Sequence, residues 1–156
     1  MKTKEEELKR LKEYALWLLG RRDYSEYEIQ SKFKDYIKKK EFISAEDDYT
    51  PIIDKLKGFN YIDDERMANS IIRNSSLSFR GPMKIKQNLS IKKLDESFLS
   101  NFEEDEIDWF ELCKQYYLRK YPEKASDYNE QGKRFRHLVG RGYYPDHIKY
   151  AMEDHT

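Results

Sequence analysis

Apolar residues recur three and four positions apart along most of the chain, a spacing that places them on one face of an α-helix. Examples are Leu8, Leu11, Ala15 and Leu18, then Ile29, Phe33 and Tyr36, then Ile52, Leu56 and Phe59. No stretch alternates apolar and polar residues with a period of two, so we expect no strands. The pattern predicts an all-α protein.

Nine helices are predicted, and capping residues mark several of their starts. Ser25 and Glu28 have the spacing of a capping box. Pro82 and Pro145 stand where a first helical residue is expected, the position that tolerates proline best. The helices are expected near 4–21, 25–38, 49–59, 63–78, 82–91, 95–101, 105–121, 128–140 and 145–154.

A short pattern recurs where one helix gives way to the next. A leucine is followed about five residues later by an apolar residue, then by a helix start, then by another apolar residue. The copies are Leu19–Tyr24–Ser25–Ile29, Leu56–Ile62–Asp63–Met67, Leu89–Leu94–Asp95–Leu99 and Leu138–Tyr143–Tyr144–Ile148. Hairpins of this kind must stack on neighbours to bury their apolar faces, so the repeat predicts an elongated stack of helix hairpins.

Residues 79–89, FRGPMKIKQNL, combine a glycine–proline step with nearby lysines. The spacing of a phosphate-binding glycine loop is absent, and Gly81-Pro82 is interpreted as a helix start. At about 100° per residue, Lys84 and Lys86 fall on either side of the Ile85–Leu89 stripe. This helix is expected to pack by its centre and to present charge along both edges.

Composition and charge narrow the classes of protein. Thirty basic residues balance thirty acidic ones, and charged residues make up 38% of the chain. Zero net charge argues against a protein held on DNA by bulk charge alone. The charge is nevertheless segregated, because residues 95–111 hold eight acids and no base whereas residues 80–93 hold five bases and no acid. The 13 tyrosines and 8 phenylalanines must supply much of a thin core.

No catalytic or metal-binding constellation is found. His137, His147 and His155 have no zinc-ligand spacing with Cys113, which is expected to be a core contact because it lies four residues after Trp109. The acids at 63–65 are explained by helix capping, and those at 47–48 by a solvated loop. We predict no metal and no cofactor. The single cysteine and the lack of a long apolar run favour a protein of the reducing cytoplasm.

Clusters of basic residues are the candidate binding groups. Some of them close helices, where cations are favoured by the helix dipole, so a structural role stays open for those. Tyrosines 116, 117 and 121 could stack on bases, although core packing is the favoured interpretation. The candidate partner- or DNA-binding residues are Arg21, Arg22, Arg80, Lys84, Lys86, Lys92, Lys93, Arg119, Lys120, Arg134, Arg136 and Arg141.

Five segments, in order along the chain, resemble the RecX family of bacterial modulators of the RecA recombinase. Between them they span most of residues 10–152, and Lys93 stands where the family has a turn glycine. They are ALWLLGRRDYSEYEI (15–29), FNYIDDERMANSII (59–72), RGPMKIKQNL (80–89), IDWFELCKQYYLRKY (107–121) and FRHLVGRGYYPDHI (135–148).

The resemblance implies a curved, elongated array of three tandem three-helix units, which we place at residues 1–60, 61–102 and 103–156. It further implies a monomer without enzymatic activity that binds in the groove of the RecA–single-stranded-DNA filament and limits filament growth or favours disassembly. Weak direct DNA binding is also expected, but no membrane contact. The family has no short motif for its contact residues, so the candidates above rest on charge and helix placement.

Three other interpretations stay open from the residues alone. A stand-alone helix-turn-helix-like DNA-binding module would bind naked DNA tightly with a steep salt dependence. An inert helical scaffold for another protein would leave RecA activity unchanged. An enzyme is disfavoured, because no nucleophile, base and oxyanion donors are arranged together.

Overall fold

The computed structural model describes residues 3–155, and of residues 103–105 it describes the backbone alone. Within that range every regular element is a helix, as the apolar spacing predicts. The α-helices are α1 (Lys4–Leu19), α2 (Glu26–Lys40), α3 (Glu46–Gly58), α4 (Asp64–Leu77), α5 (Pro82–Ile91), α6 (Ser97–Glu106), α7 (Trp109–Lys120), α8 (Tyr128–Gly140) and α9 (Pro145–Met152), and a 3-10 turn (Glu153–His155) follows.

Helix α3 begins three residues earlier than predicted, so the interpretation of residues 47–48 as a solvated loop is wrong. The Asp48 carboxylate accepts a hydrogen bond of 2.8 Å from the Ala45 N–H group. That bond lowers the pKa of Asp48, desolvation acts in the opposite direction, and Lys4, whose Nζ lies 3.4 Å away, lowers the pKa as well. The two acids therefore form the first turn of a helix, where the helix dipole favours negative charge.

The boundary between α6 and α7 also differs from the prediction. Helix α6 continues to Glu106, and α7 begins at Trp109 rather than near residue 105. The Asp108 carboxylate accepts hydrogen bonds from the N–H groups of Phe110 (3.1 Å) and Glu111 (3.2 Å). This capping bond satisfies amides that a helix start leaves unpaired, so it sets the beginning of α7.

Other predicted helix starts are confirmed. Ser25 and Glu28 form the reciprocal capping box, with bonds of 3.2 Å and 3.0 Å. Pro82 and Pro145 occupy the first positions of α5 and α9. The Tyr144 N–H group, just before Pro145, donates to Nδ1 of His147 at 3.2 Å. This side-chain cap was not predicted from the sequence.

Most of the recurring joints share one hydrogen-bonding pattern. The leucine carbonyl accepts from the N–H group five residues later, as between Leu89 and Leu94 (2.9 Å) and between Leu138 and Tyr143 (3.2 Å). The residue just before that donor is left-handed, with φ of 55° at Lys93 and 101° at Gly142. This is the Schellman motif, in which the two apolar residues also pack together. The joint after α1 lacks this five-residue bond.

The chain divides into two compact units, one ending at Met67 and one beginning at Ala68. They are called the N-terminal unit and the C-terminal unit below. The buried core of the N-terminal unit consists of Leu11, Ala15, Leu18, Tyr24, Ile29, Phe33, Tyr49, Ile53, Leu56 and Ile62. The three-unit boundaries proposed from the sequence stay a prediction.

A buried carboxylate ties two parts of the N-terminal unit together. Glu7 on α1 is only 3% exposed. Its oxygens accept from the Ile43 N–H group (3.1 Å), the Ser44 N–H group (2.9 Å) and the Ser44 hydroxyl (2.6 Å). These bonds hold the segment between α2 and α3 against α1 and offset the desolvation of the carboxylate.

In the C-terminal unit, α7 and α9 pack closely along each other, and α8 packs on α9. One buried cluster of this unit consists of Cys113, Tyr117, Leu138, Tyr143, Ile148, Ala151 and Met152. Trp109 is also buried, which confirms the expectation that Cys113 and Trp109 share a core face. This packing positions the ends of α7 and α8, where several candidate cations lie.

Candidate partner-binding surface

Helix α5 begins directly against the turn that follows α8. The Gly81 N–H group donates to the Arg141 carbonyl at 2.8 Å, and the Met83 N–H group donates to the Gly142 carbonyl at 2.9 Å. A Cβ atom on Gly81 would lie 2.3 Å from the Gly142 carbonyl carbon. Gly142 itself is left-handed, and a Cβ there would lie 2.5 Å from Cβ of Lys84. Both glycines are therefore required for close backbone approach.

Lys84 and Lys86 lie on opposite sides of the buried stripe of α5. Ile85 and Leu89 have no exposed surface, whereas Lys84 is exposed and Lys86 is half-buried. The ammonium of Lys86 lies 3.1 Å from the Tyr144 hydroxyl and 5.5 Å from the centre of that ring. Helix periodicity thus predicts the two edges correctly, and the tertiary structure adds Tyr144 as the residue that orients one of them.

Two arginines from α7 and the end of α8 lie over aromatic rings. The Arg119 guanidinium is 4.9 Å from the Phe79 ring centre, and that of Arg141 is 4.7 Å from the Tyr116 ring centre. The two rings are 6.1 Å apart, and Arg141 also donates to the Ser78 carbonyl. Cation–π contact holds each guanidinium in place. Arg119 is exposed and Arg141 is half-buried. We call these four residues, Arg119, Phe79, Arg141 and Tyr116, the arginine–aromatic cluster.

His137, which has no zinc-ligand spacing in the sequence, borders the arginine–aromatic cluster. Its Nε2 lies 2.6 Å from the Tyr116 hydroxyl. Burial lowers the pKa of His137, and the positive charges of Lys120 and Arg141 lower it further. The imidazole is therefore neutral near pH 7, and Lys120, which is exposed, lies close enough to affect it.

Arg134 is buried and makes structural contacts within the C-terminal unit. It is 7% exposed, and its Nη1 donates to the Tyr117 hydroxyl (3.0 Å) and to the Glu123 carbonyl (2.8 Å). Its Nε lies 3.3 Å from a Glu130 carboxylate oxygen. Tyr117 has no exposed surface, so its predicted core role is confirmed. Arg134 is therefore not part of the proposed surface.

The remaining candidates of the C-terminal unit lie at separate places. Arg80 and Lys92 line a shallow depression of about 320 Å³ between α4 and α5, together with exposed Ile91. Lys93 is exposed in the left-handed turn after α5. Arg136 is exposed on α8 and lines a different depression, formed with α9.

Arg21 and Arg22 belong to the N-terminal unit and lie beyond the end of α1 at Leu19, whereas the predicted helix extended to residue 21. The Arg21 guanidinium is 4.8 Å from the ring centre of Trp17. Arg22 is 3.6 Å from the Tyr24 ring centre and 3.0 Å from a Glu28 carboxylate oxygen. The charge of Arg22 is thus partly compensated within this unit.

The described residues do not bring metal ligands together. No group of three or more histidine, cysteine, aspartate or glutamate side chains among them could hold a metal ion. Cys113 is fully buried, and burial raises the pKa of its thiol to about 12, so it is not a thiolate near pH 7. None of the helices described here has the length and apolar character to cross a membrane.

The fold and the surface define a class: an all-helical protein built of short capped helices, with cations supported by aromatic rings. A family model described as RecX, third three-helix domain, matches residues 106–152, which include α7, α8 and α9. The regulatory protein RecX of Vibrio vulnificus is 35% identical over 147 residues, covering 92% of this chain and 91% of that protein. That of Actinobacillus pleuropneumoniae is 32% identical over 141 residues, covering 90% and 89%. The chain belongs to the RecX family.

Solved structures support the same fold. The crystal structure of RecX from Lactobacillus salivarius matches with a TM-score of 0.75 at 23% identity, over 94% of this chain and 95% of that chain. A second crystal structure of regulatory protein RecX matches with a TM-score of 0.74, also at 23% identity, over 97% of this chain and 73% of that chain. The prediction of an all-α fold of tandem three-helix repeats is therefore confirmed.

Proposed function

We propose that this chain regulates a bacterial RecA recombinase by binding the filament that RecA forms on single-stranded DNA, and that it has no catalytic activity of its own. The observation that carries this proposal is family membership over nine tenths of the chain, because relatives of matching length bear the name regulatory protein RecX. Binding would lower the recombinase, ATPase and co-protease activities that depend on the filament. The cytoplasm is where such a partner would be met.

The arginine–aromatic cluster and Lys84 are the residues we assign to filament contact. Arg119 and Lys84 are exposed, and Arg119 is held over a ring, which reduces the side-chain entropy lost on binding. Their charge suits DNA phosphates or an acidic protein surface. Because the net charge of the chain is zero, affinity would come from matched local contacts, with electrostatics setting association rate and register.

The proposal is tested by following RecA ATP hydrolysis on single-stranded DNA. The chain is added either before filament nucleation or to preformed filaments. Inhibition only before nucleation or during growth indicates capping, whereas loss of preformed filament indicates disassembly. No inhibition in either order of addition would contradict the proposal. It would favour the alternative interpretation, an inert helical scaffold for another protein.

A charge-reversed variant tests the assigned surface. Lys84→Glu with Arg119→Glu should raise the concentration for half inhibition about tenfold, which corresponds to about 1.4 kcal/mol of binding free energy. The matched control reverses two exposed lysines of α2, Lys34→Glu with Lys39→Glu, and should inhibit as the wild type does. Equal inhibition by both variants, each with unchanged helical circular dichroism, would remove the surface from the interface.

A stand-alone DNA-binding module is the second candidate, because arginines backed by aromatic rings also suit nucleic acid. It predicts tight binding to naked duplex DNA with a steep salt dependence. Under the main proposal, the affinity for naked duplex DNA is weak. The strength of RecA inhibition then does not vary with that affinity. Measuring both affinities over a salt series separates the two functions.

A further inference from the structure

An open depression of about 660 Å³ lies between α8 and α9 of the C-terminal unit. A volume of this size suits a small organic ligand. Arg136 is the one residue of the lining that was predicted from the sequence as a candidate binding group. The lining consists of Tyr128, Gln131, Gly132, Phe135, Arg136, Lys149, Tyr150, Met152 and Glu153.

Tyr128 presents its aromatic ring to solvent at one end of this depression. It is 85% exposed, more than any other large apolar or aromatic side chain in the part of the chain that the structure describes. A ring this exposed contributes little to folding, because its apolar surface stays in water. Its faces are available for a planar ligand, and stacking on an aromatic ring is how proteins hold unpaired bases.

Gly132 stands four residues after Tyr128, inside α8. Glycine in a helix interior is less stable than alanine. Packing does not demand it, because an added Cβ would meet only the end of the flexible Arg136 side chain, at 3.3 Å. The missing side chain instead leaves open the helix surface beside the Tyr128 ring. Gly132 therefore leaves room on this face of α8 for another group.

Two cations complete the depression. Arg136 lies one turn beyond Gly132, about 6 Å along the helix axis, and Lys149 lines the depression from α9. Glu153 lines it as well, so the formal charge of the lining is two positive and one negative, a net of +1. Glu153 can accept from an amino group of a base, whereas the two cations suit a phosphate.

The geometry points to a site for one nucleotide of single-stranded DNA, with the base stacked on Tyr128 over Gly132 and a phosphate near Arg136 and Lys149. Its use inside a RecA filament rests on the proposed function, but the site itself is measured on naked DNA without RecA. A free nucleotide offers the same base and phosphate chemistry. We assign the site to a polymer strand because the depression is open at the surface.

Two cations give this site a shallow salt dependence. Each neutralised phosphate of a single strand contributes a slope of about −0.7 in log affinity against log salt, and the site holds one phosphate, so a slope of about −0.7 is expected. This value separates the site from a module that binds DNA along a whole basic face. Affinity is expected to be weak, so a method that detects weak binding is required.

The experiment is a nuclear magnetic resonance titration of the full ¹⁵N-labelled chain with a short oligothymidylate, and in a separate arm with ATP. The amides of Tyr128 and Gly132 should shift with saturation on adding the oligonucleotide. Tyr128→Ala should weaken its binding about tenfold, which corresponds to about 1.4 kcal/mol, because the ring on which the base stacks is removed. Tyr128→Trp should retain binding. The matched control is Phe59→Ala, which removes a 64% exposed ring from the N-terminal unit and should bind as the wild type does.

Three results would overturn the site: no shift at Gly132, equal binding by Tyr128→Ala and the wild type, or saturation by ATP with none by the oligonucleotide. Failure of the site is distinguishable from failure of the proposed function. A chain that inhibits RecA but leaves the Gly132 amide unmoved loses only the site, and a chain that binds oligothymidylate at Gly132 without inhibiting RecA loses only the function.

Discussion

Replacing Gly142 by alanine tests the contact between α5 and the turn after α8. The new Cβ would lie 2.5 Å from Cβ of Lys84 and 2.6 Å from its backbone nitrogen, well inside van der Waals contact. The φ of Gly142 is +101°, where an L-residue is strained by about 1–2 kcal/mol. Overpacking adds about 1–3 kcal/mol. We therefore expect the free energy of unfolding to fall by about 3 kcal/mol.

Gly140→Ala is the matched control. Gly140 is the last residue of α8, the helix that precedes the turn containing Gly142, and its added Cβ meets nothing within 4 Å. It should raise the stability by up to about 1 kcal/mol, since alanine has the higher helix propensity. The two substitutions add the same methyl group two residues apart, yet they should have opposite signs.

Urea unfolding followed by tryptophan fluorescence measures both variants. Trp109 is 8% exposed and belongs to the C-terminal unit, and Trp17→Phe removes the signal of the 57% exposed Trp17. With an m value of about 2 kcal/mol per molar, a loss of about 3 kcal/mol lowers the urea midpoint by about 1.5 M. A midpoint for Gly142→Ala within about 0.25 M of the parent would refute the close-approach argument.

Two further substitutions test buried polar groups. Glu7→Gln keeps one acceptor oxygen, replaces the other by an amino group and removes the charge that strengthens the bonds from Ile43 and Ser44, so it should lower the free energy of unfolding by about 2 kcal/mol. Glu6→Gln on the exposed side of α1 should change it by less than about 0.5 kcal/mol. Equal urea midpoints would show that the buried carboxylate contributes nothing. Because burial and neighbouring charges hold the folded pKa of His137 below its usual value of 6.5, the unfolded chain binds more protons there, so stability should fall as pH drops below about 6.5. His137→Gln should reduce that slope in urea midpoints measured between about pH 7 and pH 5, and an unchanged slope would show that other groups cause it.

The helices could be predicted from the sequence because their causes are local. Apolar residues three and four apart, a Ser25–Glu28 pair and a proline at a first helical position act over a single turn. The errors at helix boundaries also have local causes, namely hydrogen bonds from backbone amides to a carboxylate. Asp48, predicted in a loop, accepts the Ala45 amide in the first turn of a helix, whereas Asp108, predicted within a helix, accepts the first amides of α7 and caps its start. Spacing alone does not choose between those two uses of the same side chain.

The candidate surface was predicted only in part. Lys84 follows from helix periodicity, and its exposure agrees with the prediction. Arg134 looks equally free in the sequence, yet it is buried against Tyr117, which is 17 residues away. Phe79, which supports Arg119 from 40 residues away, carries no local signal of that role.

The amino-acid sequence by itself determined that the chain is helical, where most helices begin and end, and which family it resembles, because capping, periodicity and motif order are properties of neighbouring residues. Only the tertiary structure decided which cations stay exposed and why Gly81 and Gly142 must both be glycine. Gly81 and Gly142 approach each other although they are 61 residues apart in the sequence. Patterns among neighbouring residues do not predict such a contact.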